Sequence, residues 1–312
     1  MPRTLRPDLP LRDGVSASCV ALPAGDWPTL VDFLAHRLPK LTRAQWLQRM
    51  QRGEVLDAQG QALPAHAGYV PHSRVYYYRQ LDTEPALPES EQVLFADAHL
   101  VVADKPHFMP VTPKGRYVQN SLLVRLRQRL NLPELSPLHR LDRETAGLVL
   151  FAVRAQDRHA YQQLFAQRQI DKTYQAIAPV RADLTWPLTR KSRLVSQARF
   201  FVSQEVDGVA NSETVIRLLA QSDHTSSARG LYELQPITGK RHQLRLHMCA
   251  LGLPIEGDRF YPQVLRGPDA DEDFAHPLQL LAHSLRFVDP VTGQARHFES
   301  QRRLNWPSPR AA

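Results

Sequence analysis

Seven short apolar or alternating runs, at 93–96, 100–103, 148–153, 174–178, 215–219, 231–234 and 278–287, punctuate the chain, each bounded by turn residues. Helical patterns interrupt them only at 121–130, 155–168 and 240–251. Strands and helices therefore do not alternate, which excludes a regular βαβ architecture and predicts a mixed α and β fold.

Ahead of these runs the pattern differs. Residues 1–28 are rich in Pro, Gly and Arg without periodicity and are predicted to form an irregular arm. Leu30, Phe33, Leu34 and Leu38 then recur at helical spacing, and Thr42 is placed to cap a second helix carrying Trp46, Leu47 and Met50 on one face. Gly53 ends that helix, 54–60 reads as a strand and turn, and 75–78 is β-rich, so 29–82 is predicted to be a small ααβ unit. Pro85 and Pro88 with Glu84, Glu89 and Glu91 mark 83–91 as a linker; 92–300 is then a large domain and 301–312 a tail.

The 312 residues carry 39 Lys+Arg against 31 Asp+Glu, a net charge of +8 with histidines neutral. Only six of the cations are lysines, so the basic surface favours planar, bidentate recognition of phosphates and bases. Charge alone leaves nucleic acid and ordinary arginine-rich surface equally open. Cys19 and Cys249 are too few for a disulfide framework or a cysteine-based zinc site and fit a reducing cytoplasm. The start of the chain lacks an apolar core of the signal-peptide type. The longest uncharged apolar run, 146–153, falls far short of the roughly 20 residues of a membrane span. A cytoplasmic monomer that is neither exported nor membrane-embedded is expected.

Chemistry concentrates at 137–147, where Arg140, Asp142, Arg143 and Glu144 crowd together ahead of an apolar strand. A carboxylate flanked by Arg140 and Arg143 should have its charged form stabilised, which suits a nucleophile or base. The same spacing also describes an Arg–Asp network that braces a loop. Taken alone it favours that brace, since such networks are common and rarely catalytic.

The run His139-Arg140-Leu141-Asp142-Arg143-Glu144-Thr145-Ala146-Gly147 closely resembles the signature of the RluA-type RNA pseudouridine synthases. Three more segments are similar, in order: 95–106 ending in Lys105-Pro106, then Lys172-Thr173-Tyr174, then 236–247, continued through 252–258. The resemblance spans roughly 92–300. More weakly, the N-terminal unit resembles the small RNA-binding domain named after a ribosomal small-subunit protein. Ala146 stands where the family more often has serine, and 107–110 departs from its usual run, which bears on the RNA-facing loop rather than on the chemistry.

The resemblance implies an α+β fold with a bent, mainly antiparallel mixed sheet flanked by helices, and a cleft between its halves. It implies conversion of uridine to pseudouridine in a structured rRNA or tRNA stem-loop, an isomerisation that calls for no cofactor and no metal. His242 and His247 are five apart, not the spacing that puts two metal ligands on one helical face. In the family's pattern Asp142 is the essential residue, attacking ribose carbon 1′ or removing the 2′ proton, and Arg245 is its salt-bridge partner. Tyr174 stacks on the base and helps remove the carbon-5 proton, and Arg140 fills the space of the flipped uridine. Lys105, Arg116, Arg125, Arg143, Arg241 and Arg259 are candidate RNA contacts. A non-catalytic RNA-binding relative would be expected to lack Asp142, Tyr174 or Arg245, and all three are present. A glycoside hydrolase would need a second carboxylate, and Glu144, close to Asp142 in sequence, is expected to turn away from it.

Overall fold

The computed structural model describes residues 9–81, 83–197, 202–222, 228–265, 267, 270 and 273–306. The N-terminal unit consists of β1 (Ser18–Ala21), α1 (Leu30–Arg37), α2 (Arg43–Gln51), β2 (Val55–Leu56) and β3 (Arg74–Tyr77). Its strands form a three-stranded antiparallel sheet in the order β1-β3-β2. Thr29 caps α1 by accepting from the Asp32 amide, and Thr42 and Gln45 make a reciprocal capping box on α2. Leu30, Phe33 and Leu34 pack on Trp46 and Met50, over Val55 and Val75.

Two expectations change here. Part of the predicted irregular arm is strand β1, whose four small residues are too few to reveal an alternation, and which gains its hydrogen bonds from β3. The arm's first eight residues and 307–312 lie outside the described residues. The predicted tail also remains packed up to Trp306. Leu304 is buried, and Arg302 donates to the carbonyls of Ser90 and Asp104.

The large domain is built on β4 (Gln92–Ala96), β5 (Leu100–Lys105), α3 (Leu122–Leu130), β6 (Ser136–Pro137), β7 (Ala146–Ala152) and α4 (Arg158–Ala166). There follow β8 (Asp171–Pro179), β9 (Leu188–Ser196), β10 (Ser203–Val206), β11 (Ser212–Gln221), β12 (Arg229–Pro236), α5 (Gln243–Ala250), β13 (Leu280–Val288) and β14 (Ala295–Glu299). The sheet runs β10-β9-β11-β12-β8-β13-β7-β5-β4, with β14 on β13 and β6 on β7. All pairs are antiparallel except β13 with β7. The fold is thus α+β with a mixed, mainly antiparallel sheet.

Strands β5 and β7 are buried at every position because both of their faces are covered. Val101, Val149 and Phe151 meet Leu122 and Leu126 of α3 on one side; Leu100, Leu148 and Leu150 meet Tyr161 and Leu164 of α4 on the other. A third cluster seats Leu244 and Met248 of α5 on Ile216, Tyr232 and Leu234. The parallel crossing depends on Gly147, whose φ is +111° and where a Cβ would lie 2.2 Å from the Ala282 carbonyl oxygen. That crossing fixes the start of β7, and with it the turn that carries Asp142. Among the described residues no helix is long and apolar enough to cross a membrane.

Candidate active site

Asp142 sits in a turn that the chain pins from several sides. The Thr145 amide donates to the Asp142 carbonyl at 3.2 Å, directly before β7. His139 Nε2 accepts from the Leu150 amide at 3.1 Å, and burial pushes its imidazole down to about 3, so it is a neutral acceptor at pH 7. Lys105, at the end of β5, donates Nζ to the carbonyls of Pro106 and Arg143 at 2.9 and 3.2 Å, and His107 Nδ1 donates to the Glu144 carbonyl at 2.7 Å.

Lys105 is therefore not a phosphate contact. It is fully buried, and burial pushes its ammonium down to about 7 against the pull of Glu144 and Asp142. Its protons are occupied in holding the turn's carbonyls.

The expected Arg245–Asp142 pair is present but is not Arg245's primary contact. The guanidinium, 1% exposed, grips Asp258 through Nε (2.8 Å to Oδ2) and Nη2 (2.6 Å to Oδ1), in bidentate geometry. Burial alone would lower its pKa, but Asp258 outweighs burial and raises it, so Arg245 is firmly charged. Its remaining nitrogen, Nη1, makes no hydrogen bond and lies 3.9 Å from Asp142 Oδ2 and 4.0 Å from Glu144 Oε2. Asp258 is positioned by Gly257, where φ is +74° and a Cβ would come within 2.3 Å of the Pro277 carbonyl oxygen.

Glu144 does not turn away from Asp142, as expected, but faces the same Arg245 nitrogen. Burial would raise its pKa, yet Arg143 and Arg245 overcome this and hold it down at about 2. Arg143 donates Nε and Nη2 to Glu144 Oε1, at 3.2 and 2.8 Å, so its charge is matched inside the protein rather than on Asp142. The sequence reading of Asp142 flanked by Arg140 and Arg143 thus gives way to a cluster centred on Arg245.

His242, whose spacing from His247 argued only against a metal site, caps α5 in a left-handed conformation at φ 57°. Its Nε2 is 3.7 Å from Asp142 Oδ1, and its Nδ1 hydrogen-bonds the Tyr261 hydroxyl at 2.8 Å. Burial pushes its pKa down to about 4 despite Asp142, leaving it neutral at pH 7. Tyr174, on β8 opposite Ala282, points into the same space; burial first and the Asp142 charge second raise its phenol above the ordinary value, so it is a proton carrier rather than an anion. Asp142, Tyr174, Lys172, Leu280, Arg140 and Arg241 all line one cleft of about 860 Å³.

At the mouth, Arg140 is exposed and Arg241 half-buried, and neither side chain has a partner among the described residues. The other cations proposed to meet RNA are engaged elsewhere. Arg116 donates to the Ala270 carbonyl at 2.8 Å, Arg125 pairs with Glu91 at 2.7 Å, and Arg259 pairs with Asp273.

A family described as RNA pseudouridylate synthase matches residues 99–250. The dual-specificity RNA pseudouridine synthase RluA of Yersinia pestis is 30% identical over 222 residues, covering 67% of this chain and 98% of that protein. The tRNA pseudouridine synthase C of Vibrio vulnificus is 31% identical over 240 residues, 70% of this chain and 96% of its own. Human pseudouridylate synthase RPUSD2 is 34% identical over 186 residues, a match covering only 33% of that longer protein. Among solved structures, human RNA pseudouridylate synthase domain containing 1 shares the fold, with a TM-score of 0.56 at 22% identity over 70% of this chain and 86% of that one. The chain belongs to the RluA-type family of RNA pseudouridine synthases. Its activity is accordingly that of an isomerase acting on uridine in RNA.

Proposed function

We propose that Asp142 is the residue that acts on the ribose of the target uridine, either attacking carbon 1′ or removing the 2′ proton. The observation that carries this is the Arg245 Nη1 group, buried, charged and without a hydrogen bond, 3.9 Å from the Asp142 carboxylate and 4.0 Å from that of Glu144. A fixed cation beside an anionic nucleophile orients the carboxylate and is already in place as charge moves during the reaction. Tyr174, with its proton retained, stacks on the uracil and takes part in removing the carbon-5 proton after the base has turned and rejoined. Arg140 enters the place of the flipped uridine, where its planar guanidinium stacks on neighbouring bases. The N-terminal unit binds RNA beside the cleft. The substrate is a structured stem-loop of rRNA or tRNA, and the protein works as a cytoplasmic monomer.

The test is release of tritium from RNA labelled at uridine carbon 5. Asp142→Asn is expected to abolish release, a loss of about 10⁴-fold or more, while retaining RNA binding. Near-normal turnover in that variant would remove Asp142 from the reaction.

A further inference from the structure

Segment 113–120 lies against the Asp142 turn, with the Arg143 guanidinium 5.8 Å from the centre of the Tyr117 ring, yet it is held from the N-terminal side of the molecule. Arg79, just beyond β3, donates Nη1 to the Pro113 carbonyl (3.2 Å) and Nη2 to the Gly115 carbonyl (2.8 Å), the two carbonyls that flank Lys114. Arg79 is itself held by the same device. Arg49 of α2 donates Nη1 to the Tyr78 carbonyl at 3.1 Å and Nη2 to the Gln80 carbonyl at 3.0 Å. Lys114 and Tyr117 exchange both backbone hydrogen bonds, at 2.8 and 3.1 Å, with Gly115 at φ +60° in the turn. Beyond the turn, the Glu84 carboxylate accepts from the amides of Val118, Gln119 and Asn120 at 3.0, 2.7 and 2.8 Å. A guanidinium bridging two carbonyls leaves the intervening residue little freedom. Two such bridges in series therefore run from α2 to Lys114.

The Lys114 side chain is exposed and has no partner among the described residues. Burial of its stem, then the charges of Arg140 and Arg241, lower its pKa, while Asp142 and Glu144 pull it upward. The geometry agrees: Tyr117, which pairs with Lys114 through both backbone hydrogen bonds, holds its ring under the Arg143 guanidinium at 5.8 Å, so Lys114 stands beside the turn that carries Arg140 and Asp142. The mutual repulsion of Lys114, Arg140 and Arg241 disfavours the free protein and would be relieved by a polyanion.

On the reading of the cleft given above, we infer that Lys114 is a phosphate contact for the RNA strand that enters the cleft, acting with Arg241, and that Arg79 is the positioning residue that sets Lys114 there from the N-terminal unit. The unit thus tunes substrate capture through one backbone turn.

The variants Lys114→Ala, Arg79→Ala, Arg79→Lys and the Arg79→Ala/Lys114→Ala double form a cycle. The probe is bulk RNA tritiated at uridine carbon 5, prepared from cells lacking this enzyme, with turnover read by tritium release and binding by filter retention across a salt series. Lys114→Ala is expected to raise KM by about three- to ten-fold with kcat nearly unchanged, and to flatten the salt dependence by about one phosphate contact. Arg79→Ala reproduces most of both effects, Arg79→Lys recovers part, and the double variant is no worse than Lys114→Ala within about two-fold. Additive losses, an unchanged KM and salt slope in Lys114→Ala, or a fall in kcat alone in Arg79→Ala would overturn the inference. If wild-type protein released no tritium, the reading of the cleft would fail instead, and the salt slopes would still decide whether Arg79 acts through Lys114.

Discussion

The floor of the cleft and its mouth carry charges of the same kinds, but only at the floor are the charged groups paired with one another before any RNA arrives. At the floor Arg245 is gripped by Asp258, Glu144 by Arg143, and the turn's carbonyls by Lys105 and His107. At the mouth Arg140, Arg241 and Lys114 face solvent without partners among the described residues. Fixed charges suit stabilisation of a reacting group, because they need no reorganisation during the reaction. Unpaired ones suit a polyanion, whose phosphates can take up their free hydrogen-bonding capacity.

The largest break in this contrast comes from Arg245→Met. It leaves Asp258 buried without its cation and is expected to destabilise the fold by about 3 kcal/mol or more, as for other broken buried pairs. Turnover should fall by roughly 10²-fold or more. Adding Asp258→Asn removes the stranded charge while keeping an acceptor for the Phe260 and Tyr261 amides, which now bond Asp258 Oδ1 at 2.8 and 3.2 Å. The double variant should regain most of the stability, read from urea midpoints, and none of the activity, read from tritium release. Recovery of both would make Arg245 a structural brace with no part in the chemistry.

The pattern of short runs carried much of the large domain, since β5, β7 and β8 bury contiguous apolar side chains that no other element explains as well. Strand β9 escaped it. Its exposed positions hold Thr189, Lys191 and Arg193 while its buried ones include Ser192, so no apolar alternation shows until Leu194. Ser192 is buried because His247, on α5, bonds its hydroxyl at 3.0 Å, a long-range pairing that no local pattern encodes. The site divides in the same way. Asp142, Tyr174 and Arg245 were legible from motifs, and the structure brings them to one cleft. Which carboxylate Arg245 grips, and that Lys105 points inward, depend on how β5, α5 and the turn after Ile255 pack. Charge spacing along the chain cannot report that.

A second, smaller break concerns acid. His107, His242 and His247 are each pushed down to about 4, and His139 to about 3, in every case chiefly by burial, against 6.5 for an ordinary imidazole. Folded pKa values below the unfolded value mean that the unfolded chain binds more protons between about pH 6.5 and 4. Stability is therefore present above that window and lost as pH falls through it. A tenfold difference in proton affinity between the folded and unfolded chain is worth about 1.4 kcal/mol, so four such groups should remove several kcal/mol between pH 7 and 5. Glu144, held at about 2, adds to the loss only below the ordinary carboxylate range. Urea midpoints at pH 7, 6 and 5 check this; a flat profile would mean that these buried imidazoles take up protons as readily in the folded chain as in the unfolded one.

The smallest effects are expected at the mouth itself. Arg241→Ala removes a half-buried, unpartnered cation and leaves no buried charge behind, so the melting temperature should stay within a degree or two. What should change is the response to salt. Each lost phosphate contact reduces the slope of log binding constant against log salt by about 0.7 to 0.9, and costs a few-fold in KM at moderate ionic strength. Arg140→Ala separates from it in one respect, because a guanidinium that replaces a flipped base stabilises the extruded state as well as the encounter. Its loss should lower kcat as well as raise KM, whereas Arg241→Ala should act on KM alone. Identical kinetic signatures for the two would place Arg140 with the phosphate contacts and take it out of the base stack.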